Sequence, residues 1–263
     1  MQKKGCLELE FIGYIIVAAL AIAISPFLKG FVNKFVEEDR IEEEAEQKRI
    51  KDKGNKKVSK KDKEKAEPKV KVKFVPEFDW KVTAITVLSE VILFINFGIS
   101  ATFFLYAFLT LLLIVCMFSD IKGCIIPNEV NFAGFIVGII VTFVKMSVDI
   151  NSGLDSIAGM LVGFLTFLAI AGLSLLLYKR EGMGGGDIKL MGVLGLYLGF
   201  FNNIQVFILS FFLAAFISIF LLATKIKKGD DYIPFGPFIV LAAYLTMLFP
   251  ASVTMPIVLK LLG

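Results

Sequence analysis

The chain has 263 residues, of which 57% are hydrophobic, 13% aromatic and only 20% charged, with Phe alone supplying 27. A mean hydropathy of +0.78 excludes a water-soluble globular domain and places the chain among membrane proteins. His is absent, which excludes His-dependent triads, imidazole metal sites and His proton relays.

Crossing a bilayer takes roughly 20 apolar residues. The nearly uncharged runs are Phe11 to Leu28, Val82 to Phe97, Thr102 to Ser119, Val130 to Val148, Ile157 to Tyr178, Ile188 to Phe201, Ile204 to Ala223 and Phe235 to Pro250. They predict an all-α polytopic membrane protein of about eight transmembrane helices, the sixth short for a full crossing. The first run, within residues 1–28, is expected to be retained as a helix. Glu8 and Glu10 stand where a signal peptide would be basic, and no small-residue cleavage site follows. Residues 29–81 form a charged insert holding 17 of the 28 Lys and Arg and 13 of the 24 Asp and Glu. Such a composition buries too little apolar surface to offset chain entropy, so the insert reads as a solvated helix fading into a linker. Val70, Val72 and Phe74 alternate and suit a short strand or a segment lying on the membrane surface. Residues 251–263 are a tail, read either as an interfacial helix or as an extension of the last span.

Counted by connection, 24 of the 28 basic residues fall on one side of an eight-span topology. By the positive-inside rule that side is cytosolic, with both termini outside. One charged insert in an apolar chain is no nucleic-acid surface, so no nucleic acid is expected as partner. Cys6, Cys116 and Cys124 form no C-x-x-C pair and read as small hydrophobes, so neither a metal nor a cofactor is expected. Gly134 and Gly138, Gly159 and Gly163, and Gly195 and Gly199 recur at the spacing that lets helix backbones meet.

Ionisable groups at the edge of an apolar bundle are costly and therefore the place to look for chemistry. Asp120 ends the third run and Asp187 opens the sixth, both at the cytosolic edge. Either alone also reads as a solvated helix cap. Together, in low-dielectric surroundings, two carboxyls hold one proton between them and supply an acid and a base. One activates water while the other protonates a peptide carbonyl oxygen. Gly182, Gly184, Gly185 and Gly186 precede Asp187 and are expected to permit positive φ and close approach of another backbone. Glu90, inside the second run, is expected to face the interior and pair with a neighbouring helix. Lys122 and Lys189, each two residues beyond an Asp, are expected to anchor at the interface.

The sequence Gly184-Gly185-Gly186-Asp187-Ile188-Lys189 resembles the G-x-G-D element of intramembrane aspartyl proteases, in particular the type IV prepilin and preflagellin peptidases. Asp120-Ile121-Lys122 with Ile126-Pro127-Asn128 is similar to that family's first-aspartate motif, and Pro234-Phe235-Gly236-Pro237-Phe238 to the opening of its final helix. The resemblance covers 102–245. It implies that 82–250 is a membrane-embedded peptidase domain with Asp120 and Asp187 as catalytic dyad and Gly184, Gly185 and Gly186 as the supporting loop. The substrates implied are type IV prepilin-like or archaellin-like precursors, cleaved at the cytosolic face of the cell membrane among its lipid. Their basic leader makes Glu129, Glu181, Asp230 and Asp231 candidate contacts. Bacterial members carry paired C-x-x-C motifs after the first helix, and these are absent here, as in archaeal-type enzymes that only cleave. Two other readings use the same residues. A transporter would employ Asp120 and Asp187 as a proton or cation relay, and a scaffold of a filament assembly machine would need only the charged insert.

Overall fold

The computed structural model describes residues 2–55, 72–179, 182–225 and 233–262, which form helices and connections with no strand among the described residues. The helices are α1 (Gln2–Asn55), α2 (Trp80–Phe97), α3 (Ala101–Gly123), α4 (Asn128–Val148), α5 (Ile150–Tyr178), α6 (Gly185–Leu198), α7 (Phe200–Ala223), α8 (Gly236–Leu248) and α9 (Ala251–Leu262). The eight apolar runs of the sequence correspond to α1 to α8 in order, the sixth running past Gly199 into the start of α7. Six, α1 to α5 and α7, are long and apolar enough to cross a membrane. The protein is thus an all-α, multi-pass membrane protein. The tail becomes a separate helix because the chain breaks at Phe249 (φ −126°, ψ 78°) before Pro250. Asn202 Oδ1 accepts the Ala251 N–H that the break leaves over, at 2.8 Å.

Helix ends are set by short polar residues. Ser100 caps α3 by accepting from Phe103 N, and Asp149 caps α5 by accepting from Asn151 N and Ser152 N. Between α6 and α7 there is a single residue, Gly199, whose φ of +83° turns the chain and which a Cβ would strain. Pro26 interrupts the hydrogen bonding of α1, since it has no N–H for the Ile22 carbonyl. Ser25 Oγ takes that carbonyl at 3.0 Å and also meets Thr83 Oγ1 at 2.8 Å, joining α1 to α2.

Past Leu28, α1 continues unbroken to Asn55. Residues 72–79 return along it as extended chain. Val72 N donates to Glu38 Oε1 at 3.2 Å, Glu77 N to Pro26 O at 3.1 Å, and the Phe74 ring lies 4.7 Å from that of Phe31. The alternating segment therefore packs on a helix; Val70 lies outside the described residues. Lys29, 6% exposed, is neutralised by Asp79 at 2.6 Å. Asp79 also caps α2 by accepting from Lys81 N. These contacts, the Lys29 hydrogen bond first, hold its carboxyl below the ordinary carboxylate value.

At the centre stands α6, with eleven of its 14 residues buried. A Cβ on Gly159 of α5 would lie 2.6 Å from Gly195 O, and one on Gly163 would lie 2.5 Å from Met191 O, so small residues do bring α5 and α6 into backbone contact. Asn203 of α7 donates to Gly159 O and Met191 O at 2.8 and 3.1 Å, and Tyr197 OH donates to Gly134 O of α4 at 2.7 Å. By contrast Leu176, Phe212 and Phe216 are 78%, 71% and 75% exposed and form the lipid-facing surface.

Candidate active site

Two helix ends meet in one cavity of about 390 Å³, and each brings an aspartate. Asp120, on the last turn of α3, is 4% exposed, and Asp187, on the first turn of α6, is 6% exposed. They are close enough for the charge of one to act on the other. Asp120 Oδ2 accepts the Gly236 N–H at 2.7 Å, so the N-terminus of α8 points at this carboxyl, where its dipole favours negative charge. A Cβ on Gly236 would lie 2.6 Å from the same oxygen. Asp187 sits where a helix prefers an acid, its N–H bonded to Gly184 O at 3.1 Å, while its Oδ1 is buried with no hydrogen-bond partner among the described residues.

Gly186 is needed for space. A Cβ there would stand 2.7 Å from Ile126 Cβ and 3.2 Å from Ile126 O, so the loop after α3 passes directly against the first turn of α6. The expected positive φ is not found. Among the described glycines only Gly98 and Gly199 have it, because α6 starts early and Gly185 and Gly186 are already helical. Asn131 of α4 fastens the same place, its Nδ2 donating to Gly186 O at 3.2 Å.

Of the acids considered beside the aspartates, Glu129 lines the cavity, whereas Glu181, Asp230 and Asp231 lie outside the described residues. Glu38, Asp39 and Glu42 line it too, because α1 runs on through the first part of the charged insert. Lys122 and Lys189 are exposed and donate to side-chain amides: Lys122 Nζ to Asn33 Oδ1 at 3.0 Å and Lys189 Nζ to Asn128 Oδ1 at 2.6 Å. Glu90 faces inward as expected, but its Oε1 has no partner among the described residues. Sequence reasoning missed Gly236 as a donor and Asn131 as a brace. Gly236 stood in the quoted P-F-G-P-F segment; Asn131 carried no signal.

A multi-pass helical membrane protein with two buried carboxyls in one cavity at its helix ends is the class that fold and site define. Residues 107–219 match the model of the type IV leader peptidase family. A prepilin leader peptidase/N-methyltransferase of Aeromonas hydrophila is 29% identical over 150 residues, 56% of this chain and 49% of that protein. The Pseudomonas putida protein of the same description is 29% identical over 125 residues, 48% of this chain and 42% of its own. That of Legionella pneumophila is 27% identical over 150 residues, 57% and 51% of the two chains. The chain thus spans about half the length of the curated relatives it matches. No solved structure matches it.

Proposed function

We propose that the protein is a membrane aspartyl endopeptidase that removes the leader from type IV prepilin-like or archaellin-like precursors. The observation that carries this is the pairing of Asp120 and Asp187 in one cavity at the ends of α3 and α6. Asp120, which holds the Gly236 N–H, suits the ionised role and draws the proton from water; Asp187, without a partner on Oδ1, suits the acid that protonates the carbonyl oxygen. Water adds to the scissile carbonyl carbon; as the C–N bond breaks, a hydroxyl proton of the tetrahedral intermediate returns to Asp187 and the proton taken by Asp120 passes to the leaving amine. Gly184, at the N-cap of α6, and Gly185 and Gly186, in its first turn, support the dyad, and 82–250 is the peptidase domain. The work is done at the cytosolic face, since an eight-span reading of the sequence assigns 24 of the 28 basic residues to connections on the same side as Asp120 and Asp187. Glu38, Asp39, Glu42 and Glu129 make the cavity acidic, which suits a basic leader. Transfer of a methyl group, named for the relatives, is left out of the proposal because the paired C-x-x-C motifs are missing from this sequence.

Co-expression with a panel of precursors, scored by gel shift, tests the reading. Wild type is expected to shorten at least one precursor, and Asp120→Asn and Asp187→Asn none. Unchanged cleavage by either inserted variant overturns it. A thiol label at Gln47 is expected to be inaccessible from outside intact cells and one at Asn151 accessible; the reverse overturns the orientation.

A further inference from the structure

A second cavity, about 640 Å³, opens sideways between α4, α5 and α6. Phe132 and Phe135 of α4, Met160, Leu161 and Phe164 of α5, and Val193 of α6 line it. Phe132 and Leu161 are 64% and 47% exposed, so the groove faces lipid. It is not separate from the aspartate cavity. Asn128, Glu129 and Lys189 line both, forming a polar neck between them. From Asp187 to Val193 along α6 is about 9 Å, which places the groove one to two turns into the membrane from the dyad.

Resting on the proteolytic reading, we propose that this groove seats the apolar helix of the substrate, with the chain passing through the neck so that the peptide bond before the helix lies at the aspartates. The two cavities differ in chemistry in the way such an occupant requires. The first has four acids besides the dyad against Lys189, the second almost only carbon, so together they fit a peptide with a basic stretch followed by an apolar one. A lipid acyl chain matches the apolar half alone. Asn131 decides between them: it lines the groove, is 4% exposed, and its Oδ1 is buried with no partner among the described residues. Buried amide oxygens are normally matched by a donor. A peptide leaving its helix beside the dyad has free N–H groups to offer, and an acyl chain has none.

Gly192→Leu tests this without touching the dyad. A Cβ at Gly192 meets Phe164 Cβ at 3.4 Å and Met160 O at 3.9 Å, ordinary contacts, so the backbone tolerates the change while the side chain fills the groove. Two substrates are compared: a prepilin-like precursor with its apolar helix of roughly 20 residues in vesicles, and a soluble peptide holding only the leader and the scissile junction. Gly192→Leu is expected to raise KM for the precursor about tenfold, the order of removing one good apolar contact, and to leave the soluble peptide unaffected. Phe132→Ala, at an exposed position that folding does not depend on, is expected to act in the same direction. A photo-cross-linker at Leu161 is expected to capture the precursor helix. Equal effects of Gly192→Leu on both substrates, no effect on either, or cross-links only to lipid or to a second copy of this chain overturn the proposal. Wild type cutting neither substrate while the cross-link to the precursor forms would instead sink the proteolytic reading and leave the groove assignment standing.

Discussion

At one end of the bundle Asp149 and Asp155 are exposed, and their oxygens are taken up by helix N–H groups, Asp149 by those of Asn151 and Ser152 and Asp155 by that of Phe200. At the other end Asp120 and Asp187 are buried, share a cavity, and leave Asp187 Oδ1 unpartnered among the described residues. All four stand at the edges of apolar runs in the sequence. An exposed aspartate that accepts from a helix N–H is a structural cap, whereas one enclosed beside a second carboxyl keeps capacity for a proton and a substrate. Position at a helix end says nothing by itself; what surrounds the carboxyl does.

The largest expected effect breaks the comparison directly. Asp120→Asn and Asp187→Asn should each lower cleavage by about 10²-fold or more, the loss of general acid–base catalysis. The double variant should be hardly worse, since the two act as one unit. Next come the glycines that make room. Gly236→Ala and Gly186→Val put carbon against Asp120 Oδ2 and Ile126 and should cost about 10²-fold by displacing the dyad by an ångström or so, with insertion retained. Turnover of purified, correctly inserted protein measures both sets.

A smaller effect is expected away from the dyad. Asp79→Ala leaves Lys29 buried and unpaired and should cost about 2 kcal/mol of stability, less than the ~3–5 of a fully buried pair because Asp79 is partly exposed. Thermal unfolding in detergent measures it. Since the Asp79 carboxyl is held below its ordinary value of 3.8, the pair's contribution is fully present above that pH and is lost as pH falls through the lowered value. The smallest effect sharpens the contrast. Asp149→Asn, which keeps a capping oxygen, should leave cleavage unchanged and stability nearly so. A loss comparable with that of Asp120→Asn would remove the distinction between the two ends.

Much of this was legible in the sequence. The eight apolar runs all became helices because a chain in lipid has to satisfy its backbone hydrogen bonds internally, and the brevity of α6 was visible in Ile188 to Phe201. Asp120 and Asp187 stand out in the sequence because they lie at one edge of the bundle and Asp187 follows a run of glycines, and both line one cavity. What could not be read was closure between distant residues. Gly236 reaches Asp120 across 116 positions and Asn131 reaches Gly186 across 55, and neither pattern has a period. The positive φ expected before Asp187 failed for a local reason: glycines used for closeness need no unusual backbone, and here the helix had already begun. The insert was read from its composition, which does not show that α1 stays helical far enough to bring Glu38, Asp39 and Glu42 to the cavity.

The interlock of α5 and α6 also has a mechanical side. Where backbones touch through Gly159 and Gly195, and Asn203 pins both helices from α7, there are no side chains between them to change rotamer and let one slide past the other. Asp187 is therefore mounted on a stiff block. On its other side α6 is tied to α4 by side-chain hydrogen bonds instead, Tyr197 to Gly134 O, Asn131 to Gly186 O and Lys189 to Asn128, contacts that can break and re-form without backbones sliding.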